Sequence, residues 1–436
     1  MSVLDKATPN EPQASQLGDV VSVDPQSPVP QGRKAALSFI FVTLMLDVLG
    51  FGLLIPVAPR LVEQLDGKGE SHGASMYGLL TATYAAMLFL FAPTLGSLSD
   101  KIGRRPVILI ALLGSGLDYF VMAFAPSLTW LFITRAINGL SGASMSASMA
   151  YIADVTPPEK RAAGYGMVGA AFGIGFVIGP LLGGVLGEHN IRLPFIVAGC
   201  LMIVSWLYGA FVLPESLPAD RRREFSIARA NPVGALLSIA KFPAVLGLAT
   251  ALFLLNVAQF GLHATWVVYT KHRYEWSPRQ VGISLAIVGI GAAIVQGGLA
   301  RVLIPRIGEK RAIIFGWIVG IFAFVGYGSA TQGWMIYAII AVASIGAIAG
   351  PAAQAMMSRL VRPDQQGELQ GSLASSQSVA QIFGPLLATW LFAHFIHDKS
   401  HLYIPGAPFY SSAVLSLISL FVVIAALRHA KLNSAN

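Results

Sequence analysis

Charge is scarce in this 436-residue chain: Asp, Glu, Lys and Arg make up 11% of it, where soluble domains carry about 25%. Cysteine is almost absent. The single Cys200 excludes an intrachain disulfide framework and a thiolate metal cluster. No nucleophile elbow, HExxH pair or phosphate loop occurs, which argues against an embedded enzyme. No cleavable signal peptide is visible, because residues 1–34 are polar and proline-containing and the first apolar run is too long for an h-region. Nor are the bases gathered into a block that would read nucleic acid; the net charge of +8 is spread over many short segments.

What fills the space is apolar: 55% of the residues are hydrophobic. A helical membrane span needs about 20 such residues. Twelve runs qualify, near 36–57, 76–96, 106–125, 128–150, 164–187, 194–213, 243–268, 280–303, 312–330, 334–357, 369–395 and 408–428. An even number puts both termini on one side. With both termini cytoplasmic, 21 of the 29 Lys and Arg residues fall inside, 7 outside, and Arg135 within a span, which the positive-inside rule favours. The expected organisation is a disordered cytoplasmic tail (1–34), a six-helix bundle (35–213), a cytoplasmic linker (214–242), a second six-helix bundle (243–428) and a short cytoplasmic tail (429–436).

The turn between spans 2 and 3, Gly96 to Ile108, reads GSLSDKIGRRPVI. It sets Asp100 beside Lys101, Arg104 and Arg105, with Gly96 and Gly103. A plain cytoplasmic loop needs only the bases; the acid and the paired glycines point to a latch that docks and releases. Three charges lie inside the first half: Asp47 in span 1, Asp118 in span 3 and Arg135 in span 4. A charge at mid-membrane costs about 2.5–3.5 kcal/mol on insertion scales, so each calls for a function. Asp118 lies eight residues before Pro126 and Arg135 nine after it, which places them at one depth on antiparallel helices. Asp47 falls at a similar depth. Arginine lowers the pKa of a nearby acid and desolvation raises it, so an acid held between the two can bind and release a proton. A permanent Asp118–Arg135 ion pair is the alternative, and Asp47 is the better proton carrier.

Span 5 carries glycines at 175, 179, 183 and 187, a stripe that lets another helix approach closely, and Pro180 interrupts its ladder. At a constant offset of 205 residues, IGRRPVIL at Ile102 meets IGEKRAII at Ile307, PEKRAAGYG at Pro158 meets PDQQGELQG at Pro363, and GPLL at Gly179 meets GPLL at Gly384. Such an internal repeat is expected of transporters whose two halves rock about a midplane site. Inside the spans of the second half only neutral polar groups remain: Asn256, Gln259, His263, Gln296, Gln354, Gln377, Gln381 and His394. That asymmetry assigns proton handling to the first half and substrate reading to the second, although any one amide could equally serve as a helix-to-helix hydrogen bond.

The signature G-x-L-x-D-x-x-G-R-R at Gly96–Arg105, the R-x-x-x-G of Arg135–Gly139 and the string G-x-x-x-G-P-x-x-G-G at Gly175, Gly179, Pro180, Gly183 and Gly184 resemble those of major facilitator superfamily transporters. The last resembles the drug:proton antiporter branch, which implies export. LDVLGFGLLIPVAP from Leu46, the stretch Ser99–Pro126, AYIADVTPPEKRAAGYG from Ala150, and GISLA, GEKRA, QGELQGSLA and GPLL in the second half extend the likeness, over nearly the whole length, to the bacterial tetracycline efflux proteins. It implies an all-α membrane protein of twelve helices in two six-helix pseudo-repeat bundles, with Asp47, Asp118 and Arg135 as the family's membrane charges. Three departures concern the substrate. Ala292 stands where the family has a histidine, Gly320 where it has an aspartate, and Asn256–Leu262 replaces Q-x-x-G-Q-x-P ahead of Trp266. The missing histidine and acid are associated with a metal-chelated tetracycline.

The expectation is a monomeric proton-coupled antiporter of a bacterial cytoplasmic membrane that exports an amphipathic organic compound. It would need no metal or cofactor and draw on the proton gradient. Candidate cavity residues are Phe51, Tyr84, Tyr119, Phe172, Phe176, Gln259, His263 and Trp266, since aromatic side chains with a few polar groups suit an amphipathic ligand. A proton-linked metabolite transporter and a non-transporting receptor or scaffold are the alternatives.

Overall fold

A computed structural model of the chain describes residues 31–141, 144–156, 161–222, 224–225, 231–362, 365–397 and 402–433. Residues 1–30 of the expected tail lie outside them, as do 157–160 of the turn before span 5, Arg223 of the linker, Pro363 in the second repeat and 434–436. Among the described residues every regular element is a helix. Ten helices are long and apolar enough to cross a membrane, and a bent pair raises the number to eleven.

That pair is α1 (Gln31–Leu54) and α2 (Ala58–Asp66), which meet at a 43° bend. Pro56 and Pro59 account for it, because a proline removes a backbone donor and crowds the preceding turn. Next come α3 (Glu70–Ile102) and α4 (Arg104–Phe124). The expected span 4 is described on either side of residues 142–143, as α5 (Leu128–Ser141) and α6 (Ser144–Val155). The first half closes with α7 (Arg161–His189) and α8 (Leu193–Val212). A short α9 (Pro232–Leu237) stands in the expected linker, capped by the Asn231 side chain, which accepts from the Gly234 amide at 2.9 Å. The second half contains α10 (Pro243–Tyr274), then α11 (Pro278–Ile294) and α12 (Ala300–Ile307), joined by a π-helical turn at Val295–Leu299. It continues through α13 (Glu309–Ser329), α14 (Gly333–Ile345), α15 (Ala349–Arg359), α16 (Gln366–Ile396) and α17 (Ala407–Asn433).

Apolar side chains collect into one core built from Phe39 through Leu213 and two built largely from α10–α17. The repeat is visible in detail. Gly103 ends α3 at φ 108° and Gly308, 205 positions later, ends α12 at φ 82°; a side chain is strained in that region. Directly after each glycine a charged residue pairs with the end of the helix two elements on: Arg104 with Asp154, and Glu309 with Arg359. The offset of 205 relates all four residues, and the signs are reversed.

The two halves touch along α3 against α16 and α7 against α11. Ser71 Oγ donates to the Ala393 carbonyl at 2.9 Å, and a methyl on Gly184 would come within 2.5 Å of the Pro278 carbonyl oxygen. These contacts lie toward the end of the molecule opposite Gly103. Toward the Gly103 end, Gly96, Gly169, Gly173, Gly367 and Gly371 have no atom within 4 Å of where a Cβ would stand. The halves therefore converge at one end and part toward the other.

Candidate functional site

The buried charges come together as their depths predict. Asp118 is 6% exposed, and its Oδ2 accepts from Asn138 Nδ2 at 2.6 Å and from Arg135 Nη2 at 3.5 Å. Arg135 also donates toward the Met122 sulfur and lies 5.8 Å from the centre of the Tyr84 ring. Tyr84 of α3 lies over Arg135, and a methyl on Gly50 of α1 would stand 3.6 Å from the Tyr119 ring of α4, so the two rings tie α1, α3, α4 and α5 into one layer. Asp118 Oδ1 and Arg135 Nε are buried without a hydrogen bond. Asn138 is the residue that sequence reading passed over. Its place three positions after Arg135, hence on the same helix face, was the available signal.

The glycine stripe of α7 packs on α1 beside this layer. A methyl on Gly175 would stand 2.9 Å from the Met45 carbonyl oxygen, and one on Gly179 2.7 Å from that of Leu49. Backbone thus meets backbone across Asp47's helix, and larger residues would force the two apart. Gly184, on the opposite side of α7, faces α11 of the other half.

The expected latch loop has a different form. Helix α3 runs on to Ile102 and α4 starts at Arg104, so the thirteen-residue turn reduces to one residue, Gly103. Gly96 is helical. Asp100 Oδ1 accepts from Arg104 Nη1 at 2.6 Å, one helical turn away, and Asp154 Oδ2 from Arg104 Nε at 3.2 Å. Arg105 turns toward α8 and donates to the Ala210 carbonyl at 2.7 Å. Lys101 is exposed. A further acid, Glu215, completes the arrangement. Its carboxylate accepts from the backbone amides of Arg104 at 2.9 Å and Arg105 at 3.3 Å, capping α4, and takes the space a Cβ on Gly103 would need. Ser216 Oγ donates to Asp154 at 3.2 Å. The start of the linker is thereby fastened to the turn. Glu215 follows directly on span 6, 111 residues from Arg104, and no local pattern links them.

The cavity candidates divide. Phe51 and Phe172 are 53% and 45% exposed, while Tyr84, Phe176 and Gln259 are partly buried. His263 is exposed, with Phe260 edge-on at 6.1 Å. Trp266 and Tyr119 are buried. Trp266, 4% exposed, donates from Nε1 to Ser284 Oγ at 3.0 Å and packs edge-on against Tyr327 and Phe409. Tyr119, 5% exposed, belongs to the first core. Both are wedged between helices in this conformation. Apolar periodicity could not separate a ring facing a cavity from one facing a neighbouring helix, because in a transporter both faces are apolar.

On α16 a set of side chains missing from the cavity candidates lines the gap. Gly384 meets α10 and Thr389 meets Gly78 of α3. The face between these directions, followed toward the Gly103 end, carries Gln381, Gln377, Ala374, Gln370 and Gly371. Gln377 and Gln381 make no hydrogen bond within the described protein, and Gln370 accepts from Gln354 at 2.8 Å. Among the described residues no three His, Cys, Asp or Glu side chains converge as a metal site.

Comparison with known proteins agrees with this architecture. The family model described as Major Facilitator Superfamily matches residues 40–333 and 302–435. The class C tetracycline resistance protein of Escherichia coli is 40% identical over 82% of this chain and 90% of its own, and the class B protein of the same organism is 32% identical over 86% and 93%. The crystal structure of the human organic anion transporter MFSD10 superposes with a TM-score of 0.68 at 25% identity, covering 90% of this chain and 99% of that one. A bacterial homologue of the human lysosomal transporter Spinster, crystallised facing inward, gives 0.73 at 16% identity over 91% and 97%. With buried charges in a shared layer, two related halves and these likenesses, the chain belongs to the major facilitator superfamily and is a multi-pass membrane transporter, not an enzyme, related to the tetracycline efflux proteins.

Proposed function

We propose that the protein is a proton-driven antiporter that exports an amphipathic organic compound across a bacterial cytoplasmic membrane, with both termini inside. Tetracycline-like molecules are the leading candidates. The observation that carries this reading is the layer formed by Asp47, Asp118, Arg135, Tyr84 and Tyr119, packed beside the glycine stripe of α7. Asp47, in mid-span on α1 beside the glycine stripe of α7, is the principal proton site, with Asp118 and Arg135 tuning it. A proton moving down a membrane potential yields about 2.3 kcal/mol per 100 mV, enough for roughly a fifty-fold concentration ratio. The Gly103 turn, with Asp100, Arg104, Arg105 and Asp154, works as the inner latch.

The substrate wall is neutral: Gln259 and His263 on α10 and Gln377 and Gln381 on α16 offer hydrogen bonds without charge. Ala292 and Gly320 replace the family's histidine and aspartate, which favours a ligand carried without a chelated metal. A metabolite with similar chemistry is the second reading, supported by those same departures.

The test is drug resistance in an efflux-deficient bacterium expressing the chain, beside its Asp47→Asn variant. The expected result is resistance to tetracycline or to other amphipathic drugs, lost in the variant although the protein still reaches the membrane. Resistance undiminished in the variant would remove Asp47 from coupling. No resistance to any drug would move the substrate to a metabolite.

A further inference from the structure

Where the two halves converge, the packing of α3 on α16 and of α7 on α11 is joined by a set of ionic contacts from helix ends. The 43° bend after α1 carries α2 over to the last turn of α10. From α2, Arg60 donates to the Trp276 carbonyl, and Glu63 accepts from Lys271 Nζ at 2.8 Å and 2.6 Å through its two oxygens. From the first residue of α3, Glu70 reaches the same Lys271 Nζ at 3.5 Å and His272 Nδ1 at 2.6 Å. The other ring nitrogen of His272 lies 2.7 Å from the Tyr403 hydroxyl, with Phe392 edge-on at 5.7 Å. A separate contact joins Ser277 to Glu188 at the end of α7, at 2.7 Å. Nearby Asp66 is paired with His72 inside the first half.

We propose that Lys271, shared by Glu63 and Glu70 and backed by His272, is the latch that holds this end of the molecule shut, and that its release is the step that opens the cavity to this side. Three features of the cluster support the assignment. Both acids belong to the first half and both bases to the second, so every pair in it is broken when the halves part. One ammonium serves two carboxylates, so it can leave one while still held by the other, and opening can proceed in two small steps. The four side chains are partly exposed, between 18% and 32%, where an ion pair is weak enough to break during turnover. A wholly buried cluster would lock the gate. The arrangement also fixes the polarity of the opened mouth, with an acidic lip on the first half and a basic lip on the second.

The test uses spin labels on the full chain in lipid, in a Cys200→Ser background, with Lys68→Cys on the first half and Thr331→Cys on the second. Both sites are exposed at the shut end. Pulsed dipolar spectroscopy reads the distance between them without any substrate, so the outcome is independent of what the protein transports. The parent should show one short distance. Lys271→Gln should add a longer one, raising the open-to-shut ratio about tenfold, equivalent to about 1.4 kcal/mol, while Lys271→Arg should keep the parental distribution. The double variant Glu63→Gln, Glu70→Gln gives the same reading from the acidic side should Lys271→Gln fail to fold. An unchanged distribution in the glutamine variants, or an arginine variant as open as Lys271→Gln, would overturn the proposal.

Discussion

Single residues set the energetics of the buried layer. Asp118 has one oxygen in hydrogen bonds and one in none, an arrangement that costs stability and persists where function requires it. Asn138→Ala should remove the shortest hydrogen bond to the carboxylate, that at 2.6 Å, and leave Arg135 as its charged partner. The expected loss is about 1–3 kcal/mol, measured as a lower unfolding midpoint in detergent, and uptake into inverted vesicles should fall as well. Asp118→Asn combined with Asn138→Ala should lose less stability than the sum of the two, because the second change then removes a bond to a neutral partner. Asp47, Asp118 and Arg135 stood out in the sequence because a charge inside an apolar run is costly and needs a partner or a function. Asn138 was not, since an amide in a membrane helix commonly bonds whatever lies near.

Among the elements, the turn from α3 to α4 concentrates the most consequence in the fewest atoms. Gly103 must hold φ near 108° while leaving room for Glu215. Gly103→Ala should strain the backbone and push Glu215 out, and Glu215→Ala should remove the cap while sparing the backbone. Both should speed hydrogen exchange at the amides of Arg104 and Arg105, and the cap alone is worth about 1 kcal/mol. Exchange as slow as in the parent would mean that the carboxylate does not hold the helix start. The motif announced a turn here, and Asp100, Arg104 and Arg105 are where it put them. Its size was misjudged because turn length is not a matter of composition: a run that looks like a loop stays helical when the glycine closing it can take a left-handed angle. The same blindness hid Glu215 and the bend at Pro56, where the prolines showed that a kink exists but not which way α2 would swing.

At the scale of the whole molecule the shape makes a claim about access. The halves converge at the Lys271 end and part toward Gly103, so Ala374→Cys and Gln377→Cys on α16 should react with a membrane-impermeant thiol reagent applied from the Gly103 side. From the other side they should react at least tenfold more slowly. Equal reaction from both sides would contradict this shape. The twelve apolar runs and the 205-residue offset made the two-part plan readable from the chain alone, because span length and duplication leave periodic traces. Which face of each helix looks into the gap left no such trace, so the burial of Trp266 between helices was not legible. The reversed pairs, Arg104 with Asp154 and Glu309 with Arg359, bear on how such a chain assembles. Two halves of common pattern, made one after the other, could exchange helices during synthesis. If α13 took the place of α4, Glu309 would face Asp154, and Arg104 would be left to Arg359. Like charge would meet like at both positions, so the inverted signs disfavour such an exchange.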